Sequence, residues 1–327
     1  MNILVTGGAG YVGSVAVELL LDAGHSVAVI DNLAKGHAAA LSSDVQFFAA
    51  DLRNSDEVRQ AMRSGSPDAV MHFGAVTIVP ESVNNPGKYY AVNTTGTINL
   101  LEAMIEIGVE RLVFSSTAAV YGSPSGEMVS EIEPLSPISP YGSSKLMAEQ
   151  VVADFSAAYD LEYSIFRYFN VAGATESRGE DHTPETHLIP SAILAARGLR
   201  EPLAVFGRDY PTLDGTAIRD YVHVVDLVKA HILALNAPSA RNEIFNLGAG
   251  RGSSVAEVIA AVESVSGQPL PIMEGPRRSG DPAVLVADNT KAMSHLTWRP
   301  DLSTLSEIVQ SAWDWIDRHP YGYRDLP

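Results

Sequence analysis

The sequence contains no cysteine. This absence excludes disulfides, thiolate nucleophiles, zinc–thiolate sites and iron–sulfur clusters. The nine histidines include no His-x-x-x-His pair, which disfavours a metal hydrolase, and no metal site is expected. His182, His187 and His223 are interpreted as polar residues of loops or strands.

Positive charge is also scarce. The 22 lysines and arginines face 39 acidic residues, which gives a formal net charge of −17 at pH 7. Nucleic-acid binding depends on basic side chains that neutralise phosphates. The charge balance therefore argues against a nucleic-acid partner.

Long apolar runs are missing. No run approaches the roughly 18 residues that a membrane span requires. The N-terminal segment has no basic stretch, and its apolar run is three residues long, so it does not resemble a signal peptide. The expectation is a soluble, cytoplasmic protein with no membrane partner.

The apolar content is high enough for a large core. At 327 residues and 46% hydrophobic content, the chain exceeds what one core usually fills, so two lobes are predicted. Strand and helix patterns alternate in the first part, which predicts an α/β doubly wound parallel sheet (a Rossmann fold) with ligands at the carboxyl ends of its strands. The predicted strands are residues 2–6, 26–30, 45–49, 69–73, 111–115 and 163–169.

A glycine-rich turn follows the first predicted strand. Gly7, Gly10 and Gly13 have the spacing Gly-x-x-Gly-x-x-Gly, and Tyr11 and Val12 begin the next predicted helix. A side chain at the glycines would keep the backbone away from a pyrophosphate at the helix N-terminus. All five residues are therefore candidates for a dinucleotide site.

Asp31 ends the second predicted strand, eighteen residues after Gly13. A carboxylate there accepts hydrogen bonds from the adenosine ribose and repels a 2′-phosphate, which favours NAD over NADP. The alternative is that Asp31 caps a turn with Asn32, itself a cofactor candidate. Lys35 nearby leaves NADP open.

Five further cofactor candidates stand at or near strand ends and on a long helix predicted over 86–107. They are Asp51, Leu52, Phe73, Gly74 and Asn93. Asp51 would meet the adenine amino group or merely cap the helix predicted over 55–63. The small residues around Gly74 suggest a close approach to the cofactor, though a buried turn would look the same.

Tyr141 and Lys145 stand four residues apart just after Pro140, which suits the first turn of a helix. On a helix they share one face, about 6 Å apart along the axis. A free tyrosine is only about 0.1% ionised at neutral pH, but a lysine cation together with an oxidised nicotinamide would favour the phenolate. The alternative is an exposed, solvated pair; the rest of the chain favours catalysis.

The alternating pattern breaks at Asn170, and residues 173–187 are interpreted as an irregular excursion. The predicted lobes are 1–170, which would bind NAD, and 171–327, with segments around 219–247 crossing back to the first lobe. The later predicted strands are 203–206, 218–222 and 243–247, and the later helices are 225–235, 255–266 and 302–318.

Together these residues resemble the extended short-chain dehydrogenase/reductase family. The resemblance rests on the turn at 6–13, Asp31 with Asn32, the run 114–122, Tyr141 with Lys145, and the run 167–170. More narrowly, the runs 210–216, 219–223, 246–248 and 277–281 are similar to those of UDP-glucose 4-epimerases. The likeness extends from residue 2 to about residue 323.

The resemblance implies an isomerase with tightly bound NAD. Tyr141 as phenolate would take the proton of the sugar 4-hydroxyl while C4 gives a hydride to NAD; the 4-keto sugar would then rotate and accept the hydride on its other face. Lys145 would lower the Tyr141 pKa and hold the nicotinamide ribose. Thr117 would hydrogen-bond the 4-hydroxyl, and Phe169 would contact the cofactor.

A UDP-sugar is the implied substrate. Arg219 and Arg278 would bind phosphate oxygens, with a surface ion pair to Asp220 or Asp281 as the alternative. Asp281 would also meet a ribose hydroxyl. The other implied contacts are Asn170, Leu188, Ala204 and Phe206. Related proteins often pair their helices at 86–107 and 140–159 across a dimer axis, so a homodimer is expected.

Three positions depart from the family pattern. Thr77 stands where some members have a lysine near the cofactor, and His187 replaces an asparagine, so its side chain has no assigned role. Leu285 stands where some members have tyrosine. It leaves open an N-acetylated sugar or a uronic acid as the preferred substrate.

Two rival functions are considered. A nucleotide-sugar 4,6-dehydratase shares the Tyr–Lys pair but needs an acid and a base directly after the threonine, where this chain has Ala118 and Ala119. Methyl groups transfer no protons, so dehydration is disfavoured, and so is decarboxylation of UDP-glucuronate. An NAD-binding redox sensor would typically lack the tyrosine or the lysine.

Overall fold

The computed structural model describes residues 1–124, 126, 128–277 and 281–324. These residues form thirteen strands: β1 (Asn2–Thr6), β2 (Ser26–Asp31), β3 (Gln46–Ala49), β4 (Ala69–His72), β5 (Arg111–Thr117), β6 (Glu162–Tyr168), β7 (Asn170–Ala172), β8 (Leu203–Phe206), β9 (Ile218–His223), β10 (Glu243–Leu247), β11 (Gly252–Ser254), β12 (Ile272–Gly275) and β13 (Val284–Leu285).

The same residues form eleven α-helices: α1 (Tyr11–Asp22), α2 (Ser55–Gly65), α3 (Val79–Asn84), α4 (Pro86–Tyr89), α5 (Gly96–Ile107), α6 (Pro140–Tyr159), α7 (Leu188–Ala196), α8 (Val224–Asn236), α9 (Val255–Ser266), α10 (Thr290–Leu296) and α11 (Leu305–Arg318). None of these described helices combines the length and the apolar character needed to cross a membrane.

A parallel sheet of seven strands dominates the first part of the chain, in the order β10-β6-β5-β4-β1-β2-β3. The chain runs outward from β1 to β3 and then returns to the other side of β1 to form β4. This reversal leaves a crevice beyond the carboxyl ends of β1 and β4, where doubly wound sheets bind ligands. The predicted fold class is confirmed, and β10 adds a seventh strand from late in the sequence.

Both faces of this sheet are buried, as the alternation along β1 shows. Ile3 and Val5 pack with α1 and α8 in one core cluster, whereas Leu4 packs with α2, α5 and α6 in another. Successive side chains of a strand point to opposite faces. A strand covered by helices on both sides therefore reads as a continuous apolar run.

A smaller set of elements follows α6 and β6. In it β9 pairs with β7, β11 and β13, and β8 pairs with β12. Helices α7, α9 and α11 form a separate core around Ile189, Val258 and Trp315. Residues 173–187 contain neither helix nor strand, as the sequence analysis predicted.

Two helix predictions differ from the structure. The segment 86–107 is not one α-helix, because the π-helical segment Tyr90–Thr95 separates α4 from α5. The last helix begins at Leu305 rather than at residue 302. Thr304 caps it by accepting a hydrogen bond from the Glu307 amide at 3.2 Å, while the Glu307 side chain accepts one from the Thr304 amide.

Candidate active site

The glycine-rich turn connects β1 to α1. Its Gly7 lies against the backbone of residues 73 and 74, which follow β4. A Cβ at Gly13 would lie 2.0 Å from the Gly7 carbonyl oxygen. Gly7 has a positive φ of 68°, and a Cβ there would lie 2.7 Å from the Gly74 amide nitrogen. Gly10 caps α1 without a side chain. The cradle therefore fits a pyrophosphate held by backbone N–H groups.

Asp31 ends β2 beside this turn and is buried. One carboxylate oxygen accepts from the Ala9 amide at 3.0 Å, and the other accepts from the Leu33 amide at 2.8 Å. Asp31 therefore caps the turn that follows it, as one alternative proposed. The amide that donates to it is that of Leu33 and not of Asn32. Each oxygen keeps a second lone pair that a ribose hydroxyl can use.

Asp51 is held by neighbouring side chains. Its carboxylate accepts from Arg53 at 2.7 and 3.0 Å and from Asn32 at 3.0 Å. The alternative that Asp51 caps α2 is wrong, because Asn54 does so by accepting from the amides of the first turn. Hydrogen bonds from Arg53 hold the Asp51 pKa well below its usual range, so the carboxylate is ionised.

Asn93 lies buried in the π-helical segment and joins two other elements. Its amide group donates to the Val76 carbonyl and to the Ser144 hydroxyl, each at 3.0 Å, and its oxygen accepts from the Val76 amide at 2.9 Å. Both donors are used, so only one lone pair remains for a cofactor. The visible role of Asn93 is to fasten the segment after β4 to α6.

Phe73 and Gly74 follow β4 directly. The Gly74 amide donates to the Thr6 hydroxyl at 3.2 Å, and a Cβ on Gly74 would lie 2.7 Å from the Leu52 side chain. The small residue at position 74 is thus required by packing between β1, β4 and the segment after β3. Cofactor contacts of Leu52, Phe73 and Gly74 remain predictions.

Helix α6 carries Tyr141, Lys145 and Glu149 at four-residue intervals. Ser139 caps the helix by accepting from the Gly142 amide at 3.2 Å, and Pro140 occupies the first turn. Because Tyr141 lies in the first turn, the position at which α6 begins determines where Tyr141 lies relative to the ends of the strands.

The Tyr141 side chain is half-buried and stands edge-on to the Tyr89 ring at 6.3 Å. Burial raises its pKa, and the nearby Thr117 hydroxyl lowers it by a smaller amount. The contact of Thr117 with the sugar 4-hydroxyl stays a prediction. The lowering of the pKa by Lys145 is not found in the protein alone and stays a prediction for the NAD-bound enzyme.

Lys145 is buried, and its Nζ lies 4.4 Å from the centre of the Phe114 ring. Burial lowers its pKa to about 7, and the Glu149 carboxylate acts in the opposite direction. The charge of this lysine at neutral pH thus depends on the carboxylate one turn further along α6.

A buried ion pair anchors Glu149. Its Oε2 lies 2.7 Å from Nη2 of Arg167, and it also accepts a hydrogen bond from the Ser116 hydroxyl. Arg167 in turn donates to the Tyr121 hydroxyl at 3.0 Å, which donates to Asn246 at 2.7 Å. This network joins α6 to β5, β6 and β10 next to Lys145.

The sequence analysis assigned no role to this network. The available signal was a glutamate four residues after Lys145 on a predicted helix. Its partner Arg167 is eighteen residues further along the chain, on β6, and the packing of α6 against β6 brings the two together.

His72 is a second buried polar residue without a predicted role. Its Nδ1 lies 2.6 Å from the Thr6 hydroxyl, and its Nε2 lies 3.0 Å from the Thr97 hydroxyl. Burial, followed by the nearby charge of Lys145, lowers its pKa to about 3. A neutral His72 thus ties the ends of β1 and β4 to α5.

Arg219, which was predicted to bind phosphate, lies on β9. It forms an ion pair with Asp281, and its Nη1 donates to the Ile218 carbonyl at 2.7 Å. The alternative pairing with Asp220 is wrong, because Asp220 accepts from the amides of Ala249, Gly250 and Ala287 instead. Arg278 lies outside the described residues.

Other predicted substrate contacts lie on neighbouring elements. Asn170 begins β7 and pairs with Tyr221 of β9, and Leu188 begins α7. Ala204 and Phe206 lie on β8. These positions do not by themselves test contact with a substrate.

Leu285 lies beside Arg219 where β13 pairs with β9. It also packs against the cluster that contains Phe169 and Ala118, next to Thr117. Leu285 thus lies between Arg219 of β9 and the cluster next to Thr117.

The chain is similar to known proteins over nearly its whole length. Residues 3–248 match the model of the NAD-dependent epimerase/dehydratase family. The chain is 46% identical to a UDP-glucose 4-epimerase of Lacticaseibacillus casei, over 99% of both chains. It is 48% identical to one of Halalkalibacterium halodurans, over 99% of this chain and 98% of that protein.

A solved structure is also similar. The UDP-glucose 4-epimerase of Bifidobacterium longum, in complex with NAD+ and UDP, superposes with a TM-score of 0.94 at 36% identity. The superposition covers 98% of this chain and all of the other.

Proposed function

The chain belongs to the NAD-dependent epimerase/dehydratase family, and we propose that it interconverts UDP-glucose and UDP-galactose. The observation that carries the proposal is the placement of Tyr141 and Lys145 one turn apart on α6, beside Thr117 at the end of β5 and next to the glycine turn. Relatives that match the whole chain at 46% and 48% identity are named for this activity.

The chain's own residues perform the proton chemistry. When bound, NAD would supply the acceptor for the hydride that leaves sugar C4 and the donor that restores it, so no net oxidation would result. Tyr141 accepts the proton of the 4-hydroxyl and later gives it back, and Thr117 shortens the path between them. The glycine turn and Asp31 would hold the dinucleotide.

Lys145 supplies the positive charge that favours the phenolate. Its own charge is opposed by burial and supported by Glu149. Because Arg167 fixes Glu149, the ion pair acts as a positioning element behind the catalytic residues rather than as a group that touches substrate.

Arg219 binds the diphosphate of the substrate by exchanging its partner. In the structure the guanidinium is paired with Asp281. A diphosphate carries more negative charge than one carboxylate and offers oxygens suited to a guanidinium fork. Asp281 is then released to accept from a ribose hydroxyl.

Dehydration is the less favoured reaction. Ala118 and Ala119 form the turn of 3-10 helix directly after Thr117. A dehydratase needs a proton donor and a proton acceptor at such positions, and neither methyl group can serve. Transfer of the proton through Tyr141 alone is sufficient for an epimerase.

We further propose two lobes, a homodimer and a cytoplasmic location. Residues 1–170 would bind NAD and 171–327 the UDP-sugar, with 219–247 crossing back; the pairing of β10 with β6 supports the crossing. The exposed apolar side chains of Met147 and Tyr159 on α6 support its use as a dimer surface.

The test is product analysis with the purified enzyme and a panel of UDP-sugars. UDP-galactose should yield UDP-glucose with no added oxidant, while NAD stays bound. NAD binding without any conversion would favour the redox sensor. Faster conversion of an N-acetylated or uronic sugar would keep the epimerase and change its substrate, which would trace to the pocket at Leu285.

A further inference from the structure

Four side chains of the irregular excursion converge on one point. They are Glu180, His182, Glu185 and His187, and each offers a nitrogen or oxygen atom within 4.8 Å of the others. The spacing Glu-x-His-x-x-Glu-x-His lies in an eight-residue stretch between β7 and α7. The proposed epimerase reaction uses none of these side chains.

The contacts are short and directed. Nδ1 of His182 lies 2.9 Å from Oε1 of Glu180, and Nδ1 of His187 lies 2.5 Å from the same oxygen. Nδ1 of His187 also lies 3.0 Å from Oε1 of Glu185. Glu180 thus contacts both imidazoles, and His187 contacts both carboxylates.

The two carboxylates are buried without a permanent cation. The Glu180 and Glu185 side chains are 7% and 8% exposed. Across the described parts of the chain, their ion pairs are with the two histidines and with no lysine or arginine. Burying two carboxylates is costly unless positive charge is supplied, and a divalent cation would supply it.

Neighbouring groups hold the cluster in place. The His182 ring stands at 90° to the Tyr11 ring, with 6.5 Å between their centres, and the Tyr11 hydroxyl donates to the Gly173 carbonyl at 2.6 Å. The amides of Thr186 and His187 donate to Glu185 at 2.6 and 2.7 Å. Such outer contacts orient the ligands of metal sites.

The excursion is also tied to distant parts of the chain. Lys35 donates to the Thr183 carbonyl at 2.6 Å, and the Tyr323 amide donates to the Asp181 carboxylate at 3.0 Å. An ion bound among residues 180–187 would therefore fasten the glycine-turn side, the excursion and the C-terminal segment to one another.

We propose that Glu180, His182, Glu185 and His187 form a structural binding site for one divalent transition-metal ion. Imidazole nitrogen combined with carboxylate oxygen suits Zn²⁺ and its neighbours in the series, whereas Mg²⁺ prefers oxygen ligands alone. The absence of cysteine and of a His-x-x-x-His pair predicted no metal site, and the alternating Glu and His of this loop depart from that prediction.

The test uses untagged protein that retains its NAD, freed of metal with a chelator and titrated calorimetrically with ZnCl2. One Zn²⁺ per chain should bind, and MgCl2 should bind far more weakly. His182→Gln and His187→Gln should each weaken Zn²⁺ binding by at least roughly a hundredfold, since even outer-shell changes cost 10–100-fold. Glu180→Gln should do the same.

His295→Gln is the matched control, because His295 is exposed on α10 and outside the cluster. It should leave Zn²⁺ affinity unchanged. The melting temperature should rise with Zn²⁺ for the wild type and the control but not for the cluster variants. This readout is independent of epimerase activity.

Two results would overturn the proposal. One is wild-type protein that binds no Zn²⁺, which would mean that protonated histidines alone neutralise the carboxylates. The other is Zn²⁺ binding that survives in all three cluster variants, which would move the site elsewhere. Circular dichroism and bound NAD would show that the variants are folded.

Discussion

The two sides of the candidate active site handle charge differently. On the NAD side, the Glu149–Arg167 pair is 4% and 3% exposed. On the substrate side, the Arg219–Asp281 pair is 12% and 32% exposed. The first pair is buried, and the second is only partly buried.

Energetics explains why this division suits the reaction. Breaking a buried ion pair by removing one partner typically costs about 3–5 kcal/mol, whereas exposed pairs contribute only about 0–1 kcal/mol. The catalytic side can thus hold Lys145 in a fixed electrostatic setting. The substrate side can exchange an internal carboxylate for a diphosphate at little cost.

The substitution Tyr141→Phe should have the largest effect on the side of the site that contains Lys145 and the buried Glu149–Arg167 pair. Removing the phenol hydroxyl should lower kcat by about 10² to 10⁴, the usual contribution of a general base, while bound NAD is retained. Tyr159→Phe, an exposed tyrosine at the other end of α6, should leave kcat unchanged. A near wild-type kcat for Tyr141→Phe would show that Tyr141 is not the general base.

Glu149→Gln should give the next largest effect, on folding. The neutral amide leaves Arg167 charged and buried, so the free energy of unfolding should fall by about 3–5 kcal/mol. Glu102→Gln, which disrupts an exposed pair with Arg59, should cost less than about 1 kcal/mol. Denaturant unfolding measures both free energies. Equal losses of stability in the two variants would contradict the difference proposed between buried and exposed ion pairs.

The same variant should move the pH dependence of the rate. Glu149 raises the Lys145 pKa against burial, which lowers it to about 7. Without the carboxylate, the lysine should lose its proton at a lower pH, so the alkaline limb of kcat/KM should shift downward. An unmoved limb would mean that Glu149 has only a structural role.

Arg219→Met tests the exchangeable side. A hydrogen bond to a charged group contributes about 1.5–3 kcal/mol, so the KM for UDP-galactose should rise about ten- to hundredfold with a smaller change in kcat. Arg241→Met removes an arginine that pairs with Glu162 at the opposite end of the sheet and should leave KM unchanged. A fall in kcat with an unchanged KM would mean that Arg219 acts in the chemical step rather than in substrate binding.

The last prediction concerns stability in acid. Burial lowers the pKa of His72 and of His231 to about 3, against about 6.5 in an unfolded chain. Between these values the unfolded state binds more protons, so stability should fall as the pH drops below about 6.5. His231→Phe should flatten this slope in pH-dependent unfolding, and an unchanged slope would contradict a neutral buried His231.

The sequence predicted best what neighbouring residues determine. Strand and helix periodicity, the glycine turn and the Ser139–Pro140 start of α6 depend on local spacing. The Glu149–Arg167 pair and the roles of Asn93 and Asp220 depend on contacts between distant segments. Asp220, for example, takes its amide partners from residues 249–250 and 287, and no local pattern reveals this.

The late arrival of β10 in the seven-stranded sheet has a consequence for biosynthesis. Until Leu247 has emerged from the ribosome, β6 presents an unpaired edge, and that strand ends 79 residues earlier, at Tyr168. At about 5–20 residues per second this exposure lasts on the order of ten seconds. During this interval the exposed edge of β6 is open to pairing with strands of other nascent chains.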